Sequence, residues 1–501
     1  MAAAAASATP SLSPSLTQRQ DTTANSKTKK RVTTTSSSSS SPPLTSKNEH
    51  TNTLPLHNIP TSPDPNPLSR QLTLPQRFTR SLRIKSHGES GRRGINPFHL
   101  LRICFRSSST ASRAVNVLWP VVPVAIAVRY ALPSQQLLIF ILSYIAMVPC
   151  ANLIGFAGQE LARKFSHVWG VLLETTMGGL VEIIMFIVLI TRKAEDDFDY
   201  VQVIKAAILG SILATMLLCL GLCFFAAGLK REETGFSEAV SEAGTGLLLT
   251  AGLGLAIPTV FHHSLSSRLS EEELLPKTIE ISRSMAVLLV VAYLIYLFFQ
   301  AHTHHGIFDA IFQEDEGRDI DKHKDLKRDR LTFSECVLAL AVSIALVTII
   351  AITLVKHIHF LVSERHVSDA FVGLILVPLV EKAAEHLTAV DEAYDDQMNF
   401  ALSHVLGATL QTALFNAPLV VLVGWGLGKP MGLNFEVFDL AVLLLAILTV
   451  GNFLRDQKSN YLEGALCVIV YVGIAVAALY YPNPVHHGST ASAGGGGGEH
   501  H

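Results

Sequence analysis

Charge is scarce in this chain. Asp, Glu, Lys and Arg make up 16% of its 501 residues, against 49% that are hydrophobic. Cysteine is scarce too. The six that occur (Cys104, Cys150, Cys219, Cys223, Cys336 and Cys467) show no CxxC or Cys/His spacing. That excludes a zinc ribbon and a disulfide-stapled secreted scaffold, and leaves them as core residues. The N-terminus lacks the apolar h-region of a signal peptide. Nothing in the chain reads as catalytic, cofactor-binding or nucleic-acid-binding, so an enzyme is not expected.

What is present is a series of apolar runs of about 20 residues, the length that crosses ~30 Å of hydrocarbon as a helix. The net charge of −2 hides an asymmetry: residues 1–113 hold sixteen Lys/Arg against four Asp/Glu. Residues 1–112 are rich in Ser, Thr and Pro and cannot bury enough apolar surface to fold, so they read as a disordered cytosolic tail. Eleven spans are expected: 115–132, 136–156, 170–191, 201–228, 245–261, 282–300, 333–354, 370–390, 400–424, 438–453 and 462–481. Residues 302–331 form a charged loop between two halves, expected as a solvated face with a short surface helix. Residues 483–501 are a Gly/His-rich tail. Lys/Arg bias in the short loops puts the N-terminus in the cytosol and the C-terminus in a lumen. Arg192/Lys193, Arg268 and Lys277 run against that bias.

The third and eighth runs superimpose without gaps at an offset of 203 residues. Gly170 falls on Gly373 and Glu182 on Glu385. The fourth and ninth match at an offset of 197, where Gly210 falls on Gly407 and Thr215 on Thr412. Two consecutive matches in register argue for duplication. The expected fold is therefore an all-α polytopic membrane protein: a first helix over 113–134, then five-helix repeats over 135–301 and 332–482. Five spans per repeat force the second copy to run inverted, the plan of secondary transporters whose substrate site lies at the repeat interface.

The eighth run places Glu381, Lys382, Glu385 and His386 at mid-span. Each ionisable residue there costs roughly 2.5–3.5 kcal/mol even on the mildest insertion scale, so a partner, water or a bound ion is required. Repeat symmetry brings Glu182 towards Glu385, and Gly178–Gly179 and Pro378 weaken the helices just before them. Two carboxylates with freed carbonyls make a hard oxygen site of the kind Ca²⁺ takes. The same carboxylates can hold protons instead, which is the physical basis of an antiporter. A helix–helix polar contact is the plainer reading. The His pairs (His262/His263, His304/His305, His486/His487, His500/His501) read as solvated ends.

From about Val115 to Tyr481 the chain resembles the vacuolar-type calcium (cation)/proton exchangers of the calcium/cation antiporter superfamily. Gly170–Ile184 and Phe371–His386 look like its two signature helices. Leu406–Gly407, Gln411, Ala413–Phe415, Gly424–Glu436, Lys458–Gly464, Ile281–Arg283 and Tyr296–Gln300 fit the pattern elsewhere. The resemblance implies Ca²⁺, or a related divalent cation, moved into an organelle lumen against protons, at a vacuolar membrane, with the bilayer as the protein's surroundings. It implies Glu182 and Glu385 as metal ligands, joined by His386, Gln411 and Thr409. The departures are Glu174 and Gly179, where the family carries asparagine, and Glu381–Lys382, where it carries Gly-Asn. Glu160 stands beside Gln159, on which a family glutamate falls. Lys382, three residues before Glu385, can pair with it and stand in for the cation. A second class of function stays open: a diverged membrane paralogue that does not transport.

Overall fold

The computed structural model describes residues 94–192, 200–320 and 328–482. Residues 1–93 of the tail expected over 1–112, Lys193, part of the charged loop and the C-terminal tail lie outside the described residues.

The chain is almost wholly helical: α1 Pro97–Arg106, α2 Thr110–Ala131, α3 Gln136–Ala162, α4 Val168–Thr191, α5 Tyr200–Gly228, α6 Glu238–Leu265 and α7 Glu271–Thr303. Then come α8 His305–Arg318, α9 Phe333–Ser363, α10 over residues 369–394, α11 Met398–Gly426, α12 Val437–Phe453 and α13 Tyr461–Leu479. Nine of the described helices are long and apolar enough to span a bilayer. Eleven were expected. α12 falls short in length, and α10 carries the ionisable residues that break its apolar run.

The expected disorder up to residue 112 gives way to helix from Pro97. Asn96 caps α1 and accepts from the His99 backbone N–H, Pro97 takes the first position, and Ile103 is buried. Asn116 then donates Nδ2 to the carbonyls of Cys104 and Phe105. A cap, a proline at N1, the buried Ile103 and these side-chain bonds hold a segment whose composition reads as tail.

The helices pack with a two-fold pattern. α3 packs on α9, its counterpart in the second half. α4 contacts α11 as α10 contacts α5, α7 contacts α11 as α13 contacts α5, and α6 contacts α11 as α12 contacts α5. α5 and α11 form the centre, with 83% and 78% of their apolar windows buried, against 22% for α2. Both central helices widen into a π turn at matching places, Ala214–Cys219 and Thr412–Asn416. The duplication legible in sequence is thus carried into backbone detail, and π turns of this kind gather at functional sites.

Loops gather on two faces. On one, the turn after α5 pairs with the turn before α13 through β1 Thr234–Gly235 and β2 Lys458–Ser459. There Lys230 meets Asp395, Arg231 meets Asp396, and Lys164 donates Nζ to the Leu331 carbonyl. On the other, Arg192 donates to the Ile352 carbonyl and Lys429 to the Arg192 carbonyl.

The charged loop is not simply a solvated face. Phe308 and Phe312 of α8 are buried, and Phe312 stacks on Phe400. Asp315, fully buried, accepts from the backbone N–H of Asn399 (2.8 Å) and Phe400 (3.1 Å) and from Asn399 Nδ2 (2.9 Å). It caps α11 from outside and satisfies N–H groups left free at a helix start. Asp315→Ala leaves those buried donors without an acceptor and is expected to cost about 3 kcal/mol. Thermal unfolding of the purified protein checks this; an unchanged Tm would sink it.

Candidate cation site

α4 and α10 bring the charged residues to the centre. α4 is interrupted three residues before Glu182, whereas the helix expected to weaken just before Glu385 is continuous there and is interrupted only by a π turn that ends nine residues earlier. α4 lapses from α-helical pattern at one residue, Gly179 (φ −68°, ψ −7°), and resumes at Leu180. α10 runs as a π turn over Val372–Leu376 and regains α geometry at Val377–Tyr394. Pro378, which has no N–H to donate, sits at that transition.

Lys382 lies between the two glutamates. Its Nζ is 2.9 Å from Glu182 Oε2 and 3.1 Å from Glu385 Oε2. Lys382 is 1% exposed and Glu182 fully buried. Glu182 Oε2 also accepts from Thr412 Oγ1 (2.8 Å) and Asn416 Nδ2 (2.8 Å), both on the π turn of α11. Around this pair several buried oxygens have no hydrogen-bond partner: Glu182 Oε1, Gln411 Oε1 and Asn416 Oδ1. Both carboxylate oxygens of Glu381 are in the same condition. The bare cost of such atoms is about 1–3 kcal/mol each, so an arrangement holding several together points to a further occupant.

The repeat explains how a lysine fits there. At an offset of 203, Glu381 and Lys382 correspond to Gly178 and Gly179. The first copy has no side chain where the second has two charged ones. A Cβ on Gly178 would collide with the carboxyl group of Glu385, whose Cδ and Cγ lie 2.9 Å from that position. One on Gly179 would collide with the Gln411 amide. The glycines therefore give Glu385 and Gln411 their places beside Glu182.

Glu385 faces a partly open cavity of about 30 Å³. Thr215 and Cys219 line it on α5, with His386 on α10 and Glu174 and Thr175 on α4. Thr215 and Cys219 are the repeat counterparts of Thr412 and Asn416, so each glutamate faces the π turn of the opposite central helix. Farther out, His404 Nδ1 lies 2.7 Å from Glu392 Oε2, and His404 Nε2 lies 3.3 Å from Glu174 Oε2.

A family model described as sodium/calcium exchanger protein matches residues 135–301 and 336–480, one segment on each side of the charged loop. The chain belongs to that family. A vacuolar calcium ion transporter of Schizosaccharomyces pombe is 32% identical over 69% of this chain and 79% of its own length. A vacuolar cation/proton exchanger of Oryza sativa subsp. japonica is 31% identical over 74% of this chain and 82% of its own. The solved structure of native YfkE shares the fold with a TM-score of 0.60 at 24% identity, covering 73% of this chain and all of that one. This member of the exchanger family is an integral membrane protein and not an enzyme.

Of the residues singled out from sequence, this exchanger-family chain brings Glu182, Glu385, Lys382 and Gln411 together at its centre. His386 and Glu174 line the cavity, and Glu381 is buried beside the pair. Two fall elsewhere. Glu160 holds Arg330 at 3.1 Å through Oε1 and the Leu331 N–H at 3.0 Å through Oε2, anchoring the segment before α9. Thr409 donates its hydroxyl to the Val405 carbonyl of its own helix. The pairing of Lys382 with Glu385, expected from their spacing, is made, at 3.1 Å. Thr412, Asn416, Glu392 and His404 were missed. Thr412 and Asn416 sit at the positions that the repeat aligns with Thr215 and Cys219, so the offset of 197 held the signal for them. Glu392 and His404 had none that the repeat supplied.

Proposed function

We propose that the chain is a secondary antiporter that exchanges Ca²⁺, or a related divalent cation, for H⁺ by alternating access, at a vacuolar membrane with the N-terminus cytosolic. One observation carries the reading. A carboxylate from each repeat converges on a single buried cationic group, at ion-pair distance from both. Glu182, Gln411 and Asn416 each carry a buried oxygen without a hydrogen-bond partner, and the Gln411 and Asn416 amides lie beside Gly179, three residues before Glu182. Oxygen donors in that number suit Ca²⁺, which takes 6–8. The Lys382 ammonium stands where a cation would stand between the glutamates. A divalent cation enters as Lys382 withdraws on its four-carbon stem, and protons on Glu182 and Glu385 expel it. Either occupant excludes the other, and that exclusion couples the two fluxes. The names of the S. pombe and rice relatives support both the ion and the membrane.

The closeness of the Lys382 pairs also favours a second reading, a membrane paralogue whose site is closed permanently by its own lysine. Uptake of ⁴⁵Ca²⁺ into sealed, acid-inside vesicles separates the two. Uptake by the wild type that collapses with the pH gradient is expected. No gradient-driven uptake by the wild type, with uptake appearing in the double variant Glu381→Gly/Lys382→Asn, would establish the second reading instead.

A further inference from the structure

Glu174 and His404 of the Glu174–His404–Glu392 group border the cavity that Glu385 faces, and the exchange step proposed above does not use the group. Its three residues come from three helices, α4, α11 and α10, and one ligand atom of each lies within 4.8 Å of the others. We propose that Glu174 and His404 bind a divalent transition cation of the Zn²⁺ or Co²⁺ class, with Glu392 orienting the imidazole.

The argument starts from the two ring nitrogens. Nδ1, 2.7 Å from Glu392 Oε2, is placed to donate its hydrogen to that carboxylate. Such a bond fixes the tautomer and turns the lone pair of Nε2 towards Glu174. Metal-binding histidines are oriented in this way, one nitrogen on a carboxylate and the other on the ion. Nε2 is buried, in a residue 9% exposed, yet has no well-aligned hydrogen bond. It lies 3.3 Å from Glu174 Oε2. Two ligand atoms each about 2.1 Å from a tetrahedral Zn²⁺ lie about 3.4 Å apart. The separation therefore fits two ligands of one ion.

Access and selectivity follow. Glu174 and His404 line the cavity that reaches Glu385, with Thr215 and Cys219 opposite. That space leaves room for water to complete the coordination. An imidazole nitrogen suits Zn²⁺ or Co²⁺, whereas Ca²⁺ prefers a shell of oxygens, so this position and the Glu182–Glu385 position differ in the ion they select. The competing account is an imidazolium clamped between two carboxylates, tying three helices together with no ion.

The test is Co²⁺ binding by the full-length protein in detergent, followed by its visible d–d absorption, with Zn²⁺ as competitor and no pH gradient present. The histidine-bearing tail can bind metal in every variant, so the site is read as the difference between wild type and His404→Gln. The expected result is one equivalent of Co²⁺ lost in His404→Gln and in Glu174→Gln. Glu392→Gln should weaken it about 10–100-fold, as orienting partners do. Glu182→Gln should retain it. Equal Co²⁺ uptake and spectra in wild type, Glu174→Gln and His404→Gln would overturn the proposal, as would a wild type showing no d–d band even if the variants fail to fold. Because no transport is measured, loss of Ca²⁺ exchange and loss of this site are distinguishable.

Discussion

Lys382→Met is expected to destabilise the protein by about 3–5 kcal/mol in the absence of divalent cations, the usual cost of removing one partner from a buried ion pair. Lys382 lies at ion-pair distance from both Glu182 and Glu385. The other contacts to Glu182, from Thr412 Oγ1 and Asn416 Nδ2, are neutral donors and cannot offset a second buried carboxylate. Methionine keeps the length and apolar bulk of the stem, so the loss reports charge and not a cavity. Ca²⁺ then gains what the lysine leaves. At a free concentration 100 times its Kd, an ion that binds only the folded state returns about 2.7 kcal/mol. Thermal unfolding of wild type and Lys382→Met, each in chelator and in Ca²⁺, gives the four numbers needed. A Ca²⁺-induced rise in Tm should be much larger in the variant. If Ca²⁺ raises the Tm of both proteins equally, Lys382 does not hold the cation position.

The parts of this architecture legible in sequence are those that follow from period and length. Runs of about 20 apolar residues located the helices, and the alignment of Gly170 with Gly373 and Glu182 with Glu385 located the symmetry. Pro378 and Gly178–Gly179 marked the interruptions because each acts on the backbone through its own chemistry, a missing N–H or a missing Cβ. Lys382 was legible as a partner of Glu385 because three residues on a helix is a contact distance. Its bond to Glu182, 200 positions away in sequence, needs the packing of α4 on α10. His404 was not legible. A lone histidine in an apolar run has no pattern, and its meaning comes from Glu174 and Glu392 on two other helices. Composition misled at both ends of the charge scale. Residues 97–106 looked like tail but carry a cap and one buried isoleucine, and Asp315 looked solvated but caps the start of α11.

The two glutamates are expected to be equal in transport and unequal in stability. Glu182→Gln and Glu385→Gln each remove a charge that a divalent cation and a proton compete for, so ⁴⁵Ca²⁺ uptake into acid-inside vesicles should fall at least about a hundredfold in either, a loss of ~2.7 kcal/mol of transition-state stabilisation or more. Their surroundings differ. Glu182 Oε2 accepts from three donors at once, Lys382 Nζ, Thr412 Oγ1 and Asn416 Nδ2, and the residue is fully buried. An amide oxygen in the place of Oε2 can still accept from them, but it carries no full charge for the lysine, which is left as a buried cation short of one partner. Glu182→Gln should therefore cost about 2–4 kcal/mol in stability. Glu385 faces the cavity, its side chain is 16% exposed, and Lys382 remains paired with Glu182 when it is neutralised. Glu385→Gln should cost about 1 kcal/mol. The Tm order wild type, Glu385→Gln, Glu182→Gln follows, while uptake fails in both variants. The reverse order would mean that Lys382 belongs chiefly to Glu385, and that the first repeat does not hold the cationic group as the π turn of α11 positions it to do.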